Sequence, residues 1–326
     1  MQRRTFIKHG SLALLTTATT TSWTMIPNSS DIYDVIIIGG SYSGLSAALS
    51  LGRARRKVLI IDANEPCNMR VPHSHNLLTH DGVPPHVLRT KARADVAKYT
   101  TVQFLDGRAE QLGGTDGNFA VRTSDGTEHR GRKLLLALGV RDELPQIKGL
   151  VECWGITAAS CPFCHGYEVR DQRLVVIGNA PENAHYAKLI RNWSDRLTVC
   201  TNGPSSFDNE QLEALRKQGI AFVENPITEV LHEQGQVKAL VFADGSRRDA
   251  DTLFLRSDTT APSSLTEKLG VERTEIGLLK VDPMQRTNVP GVFASGDCTT
   301  PMRALSAAFA SGTMAGAAIT HELLPV

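Results

Sequence analysis

Tyr33-Asp34-Val35-Ile36-Ile37-Ile38 is a β-branched run that leads directly into Gly39-Gly40-Ser41-Tyr42-Ser43-Gly44. A continuous apolar strand is buried on both faces, as in a parallel sheet. The Ala- and Leu-rich segment that follows predicts a helix to about Arg53, and Lys57 to Ile61 predicts a second strand ending at Asp62. This is a βαβ unit with a glycine turn between strand and helix. Gly39 permits the tight turn, with Gly40 and Ser41 beside it in the fingerprint, Gly44 permits close helix–strand contact, and the helix N-terminus suits a pyrophosphate. Asp62 lies where an acid binds an adenosine ribose hydroxyl. Ser41 stands at the middle glycine position, and serine is small enough for a ligand to approach the backbone.

Two later segments belong with this unit. Lys133-Leu134-Leu135-Leu136-Ala137-Leu138-Gly139 predicts another buried strand that ends in a glycine turn at Gly139. Gly291 to Ala294 predicts a short apolar strand before Ser295-Gly296-Asp297, and a small-residue helix is expected from about Ala304 to Thr320. An acid at Asp297 can hydrogen-bond a ribityl chain, and a helix starting at Ala304 can face a flavin ring carbonyl with its positive end. Together with the N-terminal fingerprint, these features point to FAD.

Cys161-Pro162-Phe163-Cys164-His165 carries separate chemistry. Two thiols three positions apart can close a small disulfide ring, and an adjacent imidazole can hold one as thiolate. Taken alone, the motif also fits half of a zinc site or a c-type haem attachment. The other four cysteines, Cys67, Cys153, Cys200 and Cys298, read as ordinary buried thiols, and six in 326 residues do not make a disulfide scaffold. The length suggests two domains, and 35 basic against 34 acidic residues give no sign of a nucleic-acid or anionic-membrane partner.

The order and spacing of Gly39–Gly44, Cys161–Cys164 and Gly296-Asp297 resemble the low-molecular-weight thioredoxin reductase family from Ile32 onward. That resemblance implies an α/β fold of two Rossmann-like nucleotide-binding domains. The FAD domain would be discontinuous, at about 32–145 and 253–326, with a CxxC-bearing domain at 146–252 inserted in it. It also implies a homodimer, with Cys161 as the outer sulfur and Cys164 on the flavin side. Cys161-Pro162-Phe163-Cys164-His165-Gly166-Tyr167-Glu168 is similar to the dithiol oxidases related to gliotoxin oxidase, where a His follows the second Cys. His165 is then the expected catalytic base, since its ordinary pKa lets it take and return a thiol proton near neutrality.

The inserted domain repeats the strand–turn–helix pattern at Arg173-Leu174-Val175-Val176-Ile177-Gly178, with a helix expected from Glu182 to Asn192 and a strand from Arg196 to Cys200. Here the turn reads Gly178-Asn179-Ala180-Pro181-Glu182-Asn183-Ala184, which lacks the later glycines and puts a carboxylate where a pyrophosphate would bind. Thr201-Asn202-Gly203 supplies neither an acid for a ribose nor arginines for a 2′-phosphate. Weak NADPH binding is expected, so the reading is a dithiol oxidase that uses dioxygen or another acceptor on a small-molecule or protein dithiol. The alternatives are an NADPH-dependent thioredoxin or disulfide reductase, and a flavin-holding redox partner with little turnover of its own.

Arg3-Arg4-Thr5-Phe6-Ile7-Lys8 reads as a twin-arginine export signal within a leader of residues 1–31, which implies a periplasmic enzyme, with a cytoplasmic one as the alternative. This route carries folded proteins, as a chain loaded with its cofactor requires. His73, His75 and His80 cluster in sequence without a second thiol pair or helical spacing to complete a metal site, and the resemblance, in which this segment lies beside the flavin, implies a substrate-pocket or proton-relay role for them.

Overall fold

The computed structural model describes residues 32–261 and 265–325, and the twin-arginine segment lies outside them. From the N-terminal side the elements are β1 (Tyr33–Ile38), α1 (Tyr42–Arg53), β2 (Val58–Asp62), α2 (Pro85–Ala97) and β3 (Val102–Asp106). An antiparallel excursion follows through β4 (Ala109–Thr115) and β5 (Asn118–Thr123) into β6 (Glu128–Leu136). β6 returns parallel to β1, which gives the order β3-β2-β1-β6-β5-β4. The β-branched runs form the centre: Ile36, Ile37, Leu134, Leu135 and Leu136 are fully buried, because helices cover one face, and the β4–β5 excursion with later loops covers the other.

β7 (Arg141–Glu143) leads to α3 (Leu150–Cys153), β8 (Ala158–Ala159) and α4 (Pro162–His165). The second sheet is then laid down by β9 (Leu174–Ile177), α5 (Glu182–Ile190), β10 (Leu197–Cys200), α6 (Asn209–Lys217) and β11 (Ala221–Val223). An antiparallel meander of β12 (Ile227–Glu233), β13 (Gln236–Phe242) and β14 (Arg247–Asp249) precedes β15 (Thr252–Leu255). β15 pairs parallel with β9, so the second sheet has the order β11-β10-β9-β15-β8. It therefore repeats the first in outline: three strands wound by helices, an antiparallel excursion, and a return strand beside the first.

β16 (Asp258–Thr260) pairs antiparallel with β7, and this ribbon marks both the way into and the way out of the second sheet. The boundary expected between 252 and 253 falls inside β15. Thr252-Leu253-Phe254-Leu255 could serve either sheet by composition, and its register with Leu174–Ile177 decides the matter. β17 (Val292–Ala294) rejoins β6 in parallel, and α7 (Leu305–Glu322) closes over α1. The helices meet through small residues: a Cβ at Gly312 would strike the Ser43 carbonyl, and one at Gly316 would lie 2.8 Å from the Ala47 carbonyl oxygen. Among the described residues, no helix is long and apolar enough to cross a membrane.

Candidate active site

A cavity of about 1130 Å³ runs along the C-terminal ends of β1 and β2 and reaches the CxxC segment. Gly39, Gly40 and Ser41 form its floor where β1 turns into α1. Gly39 adopts φ 107°, and a Cβ there would overlap the Ala137 carbonyl, so only glycine fits. Gly44 lies beneath this wall, where a Cβ would collide with the Gly39 carbonyl oxygen. Its role is helix packing, as expected. The first turn of α1 holds no acid, which leaves its N-terminal amides open to an anion.

Asp62 ends β2 on the cavity wall and is 7% exposed. Its carboxylate accepts hydrogen bonds from Arg89 of α2 and, at 3.2 Å, from the amide of Asn64. Arg89 also donates to the Asn64 side chain at 2.6 Å, while its Nε is buried without a hydrogen-bond partner. Sequence reasoning missed Arg89 because its distance from Asp62 along the chain follows no helical or strand period. A buried donor beside a buried acid is what a ribose with two hydroxyls would satisfy.

Gly139, Gly296, Asp297 and Ala304 line the same space. Arg303 grips Asp142 through two bonds of 2.5 and 3.1 Å, and Ser257 donates to the same carboxylate at 2.6 Å. Burial opposes ionisation of Asp142, yet Arg303 and Ser257 hold its pKa below the usual carboxylate range. Asp297 lies 3.7 Å from Arg303 Nε, and here burial prevails and raises the carboxyl. Cys67 departs from the expectation of a buried thiol. It is exposed on the cavity wall, with Sγ 3.9 Å from Asp297 Oδ2, because the loop after β2 wraps the site instead of entering the core. Cys153, Cys200 and Cys298 are buried as expected.

The Cys161 and Cys164 side chains form a disulfide, and both line the cavity with His165. Cys161 caps α4, with Pro162 at the first helical position, and Gly166 packs so closely on the Trp193 ring that a Cβ would lie 2.7 Å from it. Phe163 stands edge-on to Trp193 at 5.6 Å and is 62% exposed. Burial, and then the charge of His75, push the His165 imidazole below its ordinary pKa, while Glu168 pulls the other way. His165 is thus an unprotonated acceptor near neutrality. Of the sequence cluster, His73 and His75 reach the cavity, whereas His80 pairs with Thr79 at 2.8 Å.

The corresponding turn of the second sheet is closed by its own chain. The Asn179 side chain donates to Pro204 O and accepts from Ser206 N, each at 2.8 Å, and Ser206 Oγ donates to Asn179 O. The amides of Asn183 and Ala184 donate to Ala180 O at 2.8 Å and Pro181 O at 3.2 Å. Glu182 occupies the first turn of α5, and the Asn183 side chain packs against Gly178.

A cavity that joins a dinucleotide cradle to a disulfide serves two-electron exchange between sulfur and flavin, and so defines a flavin-dependent thiol/disulfide oxidoreductase. The chain belongs to the pyridine nucleotide-disulphide oxidoreductase family, whose model matches residues 33–312, and FAD is its cofactor. The residues present fit that group: Gly39–Ser41 and the start of α1 would hold the pyrophosphate, Asp62 a ribose and Asp297 the ribityl chain. The oxidoreductase structure from Agrobacterium tumefaciens is similar, with a TM-score of 0.85 and 38% identity over 90% of this chain and 98% of that one. The structure of HlmI gives a TM-score of 0.85 and 33% identity over 91% and 93%. The protein named thioredoxin reductase aclD of Aspergillus oryzae is 30% identical over 90% of this chain and 96% of its own length.

Proposed function

We propose that this protein is a dithiol oxidase, in which electrons enter through Cys161–Cys164 and no pyridine nucleotide takes part. The observation that carries this reading is the closed turn at Gly178–Ala184. Two amide donors turned inward cost a bound pyrophosphate about 1 kcal/mol each, and the Glu182 carboxylate at the helix start costs about as much again. Some 3 kcal/mol corresponds to roughly a hundredfold in affinity. The resemblance of Cys161–Glu168 to the gliotoxin-type oxidases supports the same direction of flow.

A substrate thiolate attacks the Cys161 sulfur, the Cys161–Cys164 bond breaks, and its electron pair leaves on Cys164. The second substrate thiol then displaces Cys161, so the substrate becomes a disulfide and the enzyme pair a dithiol. His165 takes the proton that each attacking thiol must lose and hands it to the sulfur that leaves, Cys164 in the first step and Cys161 in the second. The chemistry that FAD supplies when bound is acceptance of the two electrons of that dithiol, with dioxygen as the terminal acceptor in this proposal. The reading also includes export by the twin-arginine route and a homodimer, on the strength of Arg3-Arg4 and of the family resemblance.

Anaerobic mixing tests the proposal. Dithiothreitol is expected to bleach the flavin and stoichiometric NADPH to leave it yellow; the reverse would make the protein a reductase, as the name of the Aspergillus relative suggests. Dithiol-dependent oxygen uptake is expected, and its absence would point to a flavin-holding redox partner. Replacing His165 by Ala should slow dithiol oxidation roughly 100-fold at unchanged flavin content.

A further inference from the structure

The loop between β2 and α2 reaches from the first sheet to the segment that carries the dithiol. Two successive turns, Met69 N to Pro66 O and Val71 N to Asn68 O, each 3.1 Å, fix its course around Arg70. From there the guanidinium spans to α3: Nη1 donates to Val151 O and Nη2 to Glu152 O, both at 2.5 Å. These carbonyls belong to the end of a helix that stops at Cys153, where acceptors are short of donors and a cation is favoured. A planar fork is the shape that meets two neighbouring carbonyls at once. Gly155 lets the two segments approach, since a Cβ there would lie 3.3 Å from Arg70 Cβ. Farther along the same loop, His75 Nδ1 comes within 3.4 Å of Glu168 Oε1. In the chain, Cys161 and Cys164 lie between these two anchor points.

The backbone from the clamp to the dithiol has little slack. Trp154 N donates back to Leu150 O at 3.1 Å, Gly155 N to Ala158 O at 2.8 Å, and Leu253 N of β15 to Thr157 O at 2.8 Å. β8 pairs with β15, and Tyr186 Oη donates to Ser160 O at 2.7 Å, one residue before Cys161. Arg70 itself does not line the cavity. Cys67 and Val71 of its loop do, and so do Trp154, Gly155 and Cys161 beyond the clamp.

We propose that Arg70 is a positioning residue for electron exchange between the Cys161–Cys164 pair and FAD. Its fork holds α3, and through α3 the dithiol segment, against the loop that walls the flavin site. In that exchange two electrons and two protons leave the dithiol for FAD as the sulfur–sulfur bond closes, or return to the sulfurs as it opens. The role goes beyond the dithiol-oxidising reading, because it holds whichever way the electrons run. A misplacement of about 1 Å between reacting groups can cost roughly a hundredfold in rate, so a contact remote from the sulfurs can govern their step. A guanidinium that only capped α3 would steady a short helix and leave the exchange rate alone.

The test mixes the flavin-loaded full chain, and its Arg70→Ala and Arg70→Lys variants, anaerobically with rising dithiothreitol. At low concentration, acid quench and alkylation of the new thiols give the second-order rate of Cys161–Cys164 reduction. At saturation, the limiting rate of flavin bleaching reads the internal exchange. Arg70→Ala should lower the limiting rate about tenfold, with flavin content and the second-order rate within about twofold of the starting enzyme. Arg70→Lys, a point charge without the fork, should come back to within about threefold. An unchanged limiting rate, or an equal loss in both rates, would overturn the proposal. Should Arg70→Ala emerge without flavin, Arg70→Lys decides: slowing confined to the limiting rate supports the role, and any other result refutes it. If dithiothreitol fails to bleach the unmodified enzyme, the functional reading falls and the exchange is followed in reverse. After a light flash with EDTA as electron donor, the anaerobic return of the yellow colour should then be about tenfold slower in Arg70→Ala, and an equal return would refute the part given to Arg70.

Discussion

The chain builds the same nucleotide-binding unit twice and keeps only one of them open. In the first, β1 turns into α1 through glycines that admit a ligand to the backbone, and no acid stands at the helix start. In the second, β9 turns into α5 through Asn179, Ala180 and Pro181; the turn's peptide groups bond to one another, and the Asn179 side chain ties the turn to Pro204 and Ser206. Sheet order and connectivity are nearly alike. The fold therefore does not decide whether a nucleotide binds. On the proposed reading a handful of side chains in one turn do, which is why family membership alone leaves the direction of electron flow to be argued from the turn.

The contrast can be broken most sharply in the open turn. Gly39→Val would drive a side chain into the Ala137 carbonyl, and the purified protein should emerge colourless, with flavin absorbance at 450 nm reduced at least tenfold. A yellow variant would mean that the turn tolerates a Cβ and that its glycine is not what keeps it open. A milder probe is Asp62→Asn, which leaves Arg89 beside a neutral amide. Loss of a charge-assisted hydrogen bond should weaken FAD about tenfold, measured as release of flavin on dilution. The smallest effect belongs to the closed turn. Asn179→Ala with Glu182→Gln should leave flavin content and dithiol turnover within about twofold of the starting enzyme, since neither residue lines the cavity. A large loss of dithiol turnover with flavin retained would show that the second unit has a part in the chemistry after all.

The elements at the centre of each sheet were legible from sequence. Tyr33–Ile38, Leu134–Leu136 and Leu174–Ile177 are continuous apolar runs, and burial on both faces leaves them little choice but parallel strands. The glycine turn, the two exchange sulfurs and Asp297 were legible because their chemistry depends on local spacing, and the cavity gathers them. What was not legible comes from contacts between distant segments. Arg89 meets Asp62, Arg303 grips Asp142, and Ser206 locks Asn179 only after the loops have folded over, and nothing in their spacing announces it. Cys67 misled for a related reason: an apolar-looking thiol was assigned to the core, but its segment has no regular structure to bury it. His75 was singled out with its neighbours in the cluster, yet only the fold tells which of the three faces Glu168.

The seam between α1 and α7 has a consequence for assembly. Gly39–Ser41 and Asp297 are far apart along the chain, yet they line one cavity, and α7 meets α1 through Gly312 and Gly316 just behind it. Neither segment makes the cavity alone. The cofactor's seat is therefore a product of long-range docking, and a defect in the packing of two helices would be felt as a loss of colour rather than as a loss of either sheet.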